Sequence, residues 1–180
     1  MSGMALEHAL LVALREQPAS GLELAGRFGR SIGYFWHATH QQIYKVLARM
    51  DADGWVEVTA VAQTGKPDKK VYAVSPAGER VLADWLAAPT PMEPLRSELA
   101  VKMRGASYGD RRAVLEVVRS NLADHQLRLD HYEQLEKRDH PHPETLTGPE
   151  LDQYLVLRGG IRTERFWVEW LTEYQEAHER

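Results

Sequence analysis

The chain has 180 residues, of which 43% are hydrophobic and 27% charged, with a net charge of −4 and no cysteine. That balance describes a globular protein rather than a disordered one, and the lack of cysteine excludes disulfides, thiolate metal sites and cysteine nucleophiles. No apolar stretch approaches the roughly 20 residues of a membrane span, and MSGMALEHAL has no basic run before its apolar residues, so neither a span nor a signal peptide is expected and the cytoplasm is the expected compartment.

The first predicted helix places Leu6, Leu10, Ala13 and Leu14 on one face and stops near Pro18. A second begins at Ser20-Gly21-Leu22-Glu23, where Ser and Glu have the spacing of a capping box, and buries Leu24, Ala25, Phe28 and Ile32. The run GRSIG, residues 29–33, has the G-x-S-x-G pattern of a hydrolase nucleophile elbow. That chemistry needs a strained strand-to-helix turn on a parallel sheet, whereas this string follows an amphipathic helix, so it is read as coincidence.

Tyr34-Phe35-Trp36 leads into the third helix and is expected to pin its entry angle against the core. Thr39-His40-Gln41-Gln42 is a second capping box, and Ile43, Val46, Leu47 and Met50 follow at i, i+3, i+4 and i+7. With that face buried, a wheel of 100° per residue leaves Gln41, Lys45, Ala48 and Ala52 outward, flanked by Tyr44 and Arg49, with Gly54 as the stop. The alternating WVEVTAVAQ, the turn TGKPD and the strand KKVYAVS predict a β-hairpin, and Ser75-Pro76 caps a fourth helix running to about Ala88.

Three helices, a hairpin and a fourth helix make the winged form of the helix-turn-helix. Thr39, His40, Gln41, Tyr44 and Lys45 are the candidate contacts to a DNA groove, and Lys66, Lys69 and Lys70 at the wing are the candidate phosphate contacts. Residues 1–88 hold 9 basic and 9 acidic side chains against 13 and 17 in 89–180, so such contacts must work through local clusters rather than bulk charge.

Pro89, Pro91 and Pro94 make 89–94 a linker between a winged-helix domain, 1–88, and a helical domain, 95–180. Beyond the linker, Leu95, Leu99 and Met103 share one face, and Leu115, Val118, Leu122, His125, Leu129 and Tyr132 form a heptad seam that ends at His140-Pro141-His142-Pro143. A last helix starts after Thr147-Gly148-Pro149-Glu150 and carries Tyr154, Leu157, Ile161, Phe166, Trp167, Trp170 and Leu171. Apolar helices of this kind need a partner, and the seam is therefore assigned to homodimerisation. His125 is the seam residue able to titrate near neutral pH, with a satisfied interface histidine as the plainer reading. His37-x-x-His40 and His140-x-His142 lack a third ligand at suitable spacing, so no metal or other cofactor is expected.

The runs GYFWHATHQQIYKVLARMDADGWVE and GKPDKKVYAVSPAGE resemble the PadR family of bacterial transcriptional regulators, densely over residues 4–88 and more loosely through PLRSELAVKM and the helical tail. The tail is similar to the longer subfamily with a virulence-activator-like C-terminal domain. The resemblance implies a homodimer that binds an inverted repeat in double-stranded DNA, as a repressor of its own or a neighbouring gene, with no enzymatic activity. It also implies an aromatic effector, for which Trp36, Trp167 and Trp170 are the candidate contacts. Relatives commonly carry tyrosine where this chain has Leu22. The alternative from another class is a protein-binding helical adaptor whose winged-helix head does not bind DNA; a hydrolase is the remaining one, and the expected fold opposes it.

Overall fold

The computed structural model describes residues 4–28, 38–63, 66–92 and 95–179, with the side chains of 4, 5, 28, 63 and 66–68 outside the described set. The elements, in chain order, are α1 (Met4–Glu16), α2 (Gly21–Phe28), α3 (His40–Ala52), β1 (Val56–Gln63), β2 (Lys66–Val74), α4 (Pro76–Ala87), α5 (Glu98–Gly105), α6 (Arg111–Asp139) and α7 (Gly148–His178). Two compact units result, Met1–Pro91 and Met92–Arg180. The fold is the mainly α winged helix-turn-helix with a helical C-terminal unit that the sequence predicts. No helix among the described residues is long and apolar enough to cross a membrane.

In the first unit the apolar stripes of three helices meet. Leu10, Leu11 and Leu14 of α1, Leu24 of α2, and Ile43, Leu47 and Met50 of α3 are all essentially inaccessible to solvent and form one cluster with Val56 and Leu82. Burying each such side chain contributes on the order of 2 kcal/mol, enough to fix short helices that are marginal alone. Arg27 of α2 closes the end of α1 by donating to the carbonyls of Ala13 (3.3 Å), which also accepts from the Gln17 amide, and Gln17 (2.7 Å), at a helix end where carbonyls lack the next turn's donors. His8 of α1 is buried and stacks on Trp85 of α4, centroids 4.7 Å apart.

Helix α3 ends in a Schellman motif. Gly54 sits at φ +71°, its amide donates to Asp51 O (3.1 Å), and the Trp55 amide donates to Met50 O (2.8 Å). Buried Ser75 joins that end to α4: its hydroxyl donates to Gly54 O (2.6 Å) and accepts from the Gly78 amide (3.0 Å).

The hairpin is antiparallel, pairing Val56 with Val74 and Val61 with Lys69, and its register slips between Val61 and Gln63. β2 begins at Lys66, so Lys66-Pro67-Asp68, read from the sequence as turn, belongs to the strand and only 64–65 remain between the strands. Either strand of a two-stranded sheet is an edge, where a proline's missing donor is tolerated. Ala19 adds a single bridge on the other edge of β2, exchanging hydrogen bonds with Tyr72 at 3.1 and 2.9 Å.

In the second unit, Ser97 caps α5 through the Ala100 amide (3.1 Å) and Asp110 caps α6 through the Arg112 and Ala113 amides (2.9 and 3.2 Å). Thr147 precedes α7, with Gly148 at φ +55°. Ion pairs Glu136–Arg158 (3.0 Å) and Glu133–Arg165 (2.7 Å) run in opposite order along α6 and α7, which are therefore antiparallel.

That pairing changes the assignment of the α6 seam. Val118, Leu129 and Tyr132 are buried and Leu115, Leu122 and His125 partly so, without any second chain. Val118 and Leu122 pack with Met103, Trp167, Trp170, Leu171 and Tyr174, and His125 pairs with Glu164 (2.5 Å) while stacking on Trp167. The tail of the same chain covers the seam, because α7 carries a complementary apolar stripe. Tyr174 completes the cluster by donating to Met103 O (2.9 Å).

Candidate nucleic-acid interface

The Thr39 capping box decides where α3 starts. Thr39 Oγ1 accepts from the Gln42 amide (3.2 Å) and Gln42 Oε1 accepts from the Thr39 amide (2.8 Å), so the helix opens at His40. Ile43, Val46, Leu47 and Met50 then root it in the core. Thr39, His40, Gln41, Tyr44, Lys45 and Ala48 all remain exposed, a polar and cationic strip with one aromatic.

Two candidate cations take positions that the sequence did not show. Arg49, a flank of the strip on the helical wheel, pairs with Glu7 of α1, whose carboxylate is buried. Lys69 pairs with Glu23 of α2 at 2.5 Å. Lys70 is exposed and, next to Lys69 in a strand, projects from the opposite face of the hairpin. Lys66 opens β2, with its side chain outside the described residues.

Glu23 is a strongly perturbed carboxylate of this surface. The hydrogen bond from Lys69, then those from the amide and hydroxyl of Ser20, lower it from 4.5 to about 2. The Tyr72 hydroxyl is raised by burial first, then by Asp51 and Tyr44. Tyr44 is half exposed and lies against the start of α2, where a Cβ on Gly21 would come within 2.4 Å of its Cε1.

The remaining candidates fall elsewhere. Trp36, the GRSIG string and His37 lie outside the described residues. Trp167 and Trp170 are partly buried on α7 with ring centroids 5.2 Å apart, and half-exposed Phe166 lies 5.6 and 5.8 Å from them. Among the described residues no group of three or more His, Asp or Glu side chains is placed to hold a metal ion.

Two family models match the chain, one described as the transcriptional regulator PadR-like family over residues 10–84 and one as the virulence activator alpha C-terminal region over residues 95–179. The "Probable transcriptional regulator Rv1176c" of Mycobacterium tuberculosis is 51% identical over 97% of both chains. The "Negative transcriptional regulator PadR" of Bacillus subtilis is 29% identical over 92% of this chain and 93% of its own. A crystal structure of Bacillus subtilis PadR in complex with operator DNA superposes with a TM-score of 0.86 at 26% identity, covering 97% of this chain and 98% of that one. Its complex with p-coumaric acid gives 0.79 at 25% identity, covering 97% and 99%.

Proposed function

Since the chain belongs to the PadR-like family of transcriptional regulators, which are not enzymes, we propose that it is a homodimeric repressor reading an inverted repeat near its own or a neighbouring gene. The observation that carries this reading is the exposed strip of α3, Gln41, Tyr44 and Lys45, presented by a capped helix with four buried anchors. In a major groove about 12 Å wide, Gln41 and Tyr44 face base edges and Lys45 faces bases or phosphate. Lys66 and Lys70 of the wing serve flanking phosphates. Two protomers place their α3 helices about one DNA turn, roughly 34 Å, apart. Support for DNA as the partner comes from the relative crystallised on operator DNA.

The dimer is built through the second unit. With the α6 seam occupied inside one chain, the apolar side chains left exposed there include Leu127, Leu155, Val156 and Phe166. The protein's own upstream DNA should bind with nanomolar to micromolar affinity, preferred over scrambled DNA, with a steep salt slope in fluorescence anisotropy. Equal weak binding to both at every salt refutes the reading and leaves the adaptor, which the even charge of residues 1–88 permits. Tyr44→Ala and Lys45→Ala should each weaken specific binding by about 1–3 kcal/mol while light scattering still reports the dimer. Unchanged affinity in both variants removes this face of α3 from the interface.

Trp167, Trp170 and Phe166 are the proposed aromatic platform for a small planar effector, supported by the relative crystallised with p-coumaric acid. An effector acts only by binding unequally to conformers with different head spacing. Titration with phenolic acids and planar cationic drugs should quench tryptophan emission, and no response across such a panel rejects the platform.

A further inference from the structure

Residues 19–23 contact both elements assigned to DNA, α3 and the wing, while supplying none of the assigned DNA contacts. Ala19 is bridged to Tyr72 of β2, Gly21 leaves room for the Tyr44 ring of α3, and Glu23 holds Lys69 of the wing. Glu23 is itself anchored. One carboxylate oxygen accepts from Lys69 Nζ (2.5 Å), and the other accepts from the Ser20 amide and hydroxyl, both at 2.9 Å.

Two of these features work against simple DNA affinity. A carboxylate beside the wing repels phosphate, and a lysine it has neutralised releases little counterion on binding. Folding stability does not account for the arrangement either, since the pair is half exposed and such ion pairs contribute little. Geometry does account for it: α2 and the wing are 46 residues apart in sequence, and this pair, with the Ala19 bridge, ties them together.

We infer that Glu23 is a specificity-determining positioning residue: it holds Lys69, and through it the wing, at a fixed angle to α3, and keeps that lysine from indiscriminate phosphate contact. The inference rests on the DNA-binding reading above. It reverses the simplest expectation for Lys69, because the lysine then acts through Glu23 rather than as a phosphate contact of its own.

Glu23→Gln tests it, since the amide oxygen still accepts from Ser20 and preserves the helix start while the charge that holds Lys69 is lost. Anisotropy against the native upstream DNA and scrambled DNA should show scrambled binding strengthened about tenfold near 0.1 M salt, its salt slope steeper by about one, and the preference for native DNA reduced. A lost capping contact alone moves neither slope nor preference. In a Lys69→Gln background the same substitution should do nothing further. Unchanged slope and preference in Glu23→Gln overturn the inference, as does an equal gain in the Lys69→Gln background, which would mean simple loss of repulsion. Wild-type protein that binds neither DNA at any salt overturns the DNA-binding reading and this inference with it, whereas wild-type preference with an inert Glu23→Gln overturns the inference alone.

Discussion

Gly78→Ala is expected to destabilise the winged-helix unit by about 3 kcal/mol, lowering its thermal midpoint by on the order of 10 °C. A Cβ at this position falls 2.1 Å from the carbonyl oxygen of Trp55 and 3.0 Å from both its carbonyl carbon and Val74 Cγ1. The obstacle is backbone, and that backbone is held: Trp55 O accepts from the Ser75 amide (3.0 Å), and Ser75 in turn bonds Gly54 O and the Gly78 amide. To admit one methyl group, α4 must slide away from the hairpin and strain the cap that starts it. Alanine offers about 1 kcal/mol of helix propensity over glycine, which the clash and the weakened cap outweigh. Urea unfolding followed by circular dichroism measures the balance. A variant as stable as the parent would show that α4 does not approach Trp55 so closely.

The parts legible in the sequence are those governed by neighbours along the chain. Both capping boxes, the Ser75 cap and the glycine stop at Gly54 lie within a few residues of what they bind, and all form as the spacing predicts. The four anchors of α3 follow from helical period alone. What the sequence could not show are interactions between distant positions. Nothing local marks Lys69 as the partner of Glu23 or Arg49 as the partner of Glu7, and on a helical wheel or a wing each reads as a cation facing solvent.

The seam of α6 is a case of a different kind. A heptad establishes which face is apolar but not what covers it, and the sequence reading assigns that cover to a second chain. The signal for cover by the same chain lay in charge: Arg158 and Arg165, one heptad apart on α7, meet Glu136 and Glu133 in the order an antiparallel hairpin requires. Pro67 was misplaced because proline is common in turns, yet an edge strand with a register slip accepts it equally well.

Leu171→Ala should cost the second unit about 3–4 kcal/mol, whereas Leu155→Ala on the same helix should change stability by less than about 0.5 kcal/mol. Leu171 is fully buried between Met103 and Val118, with Trp167, Trp170 and Tyr174 around it, and Leu155 is 55% exposed. Large rings cannot collapse into the space a lost isobutyl group leaves, so the cavity persists and the cost lies in the upper part of the usual range. The contrast also separates the two ways of covering the α6 seam. If α7 of the same chain covers it, the loss at Leu171 is the same at every protein concentration, because the contact is made within one molecule. If a second chain supplied the cover, the loss would shrink on dilution toward the point where the dimer dissociates, since both proteins would then have lost the contact. Leu155 should show the opposite behaviour: a small effect on unfolding and a measurable weakening of the proposed dimer, in keeping with an apolar side chain that one chain leaves uncovered. Denaturant titrations of both variants over a hundredfold range of concentration, read by tryptophan emission, distinguish the cases, and equal losses at the two positions would place the core of this unit elsewhere.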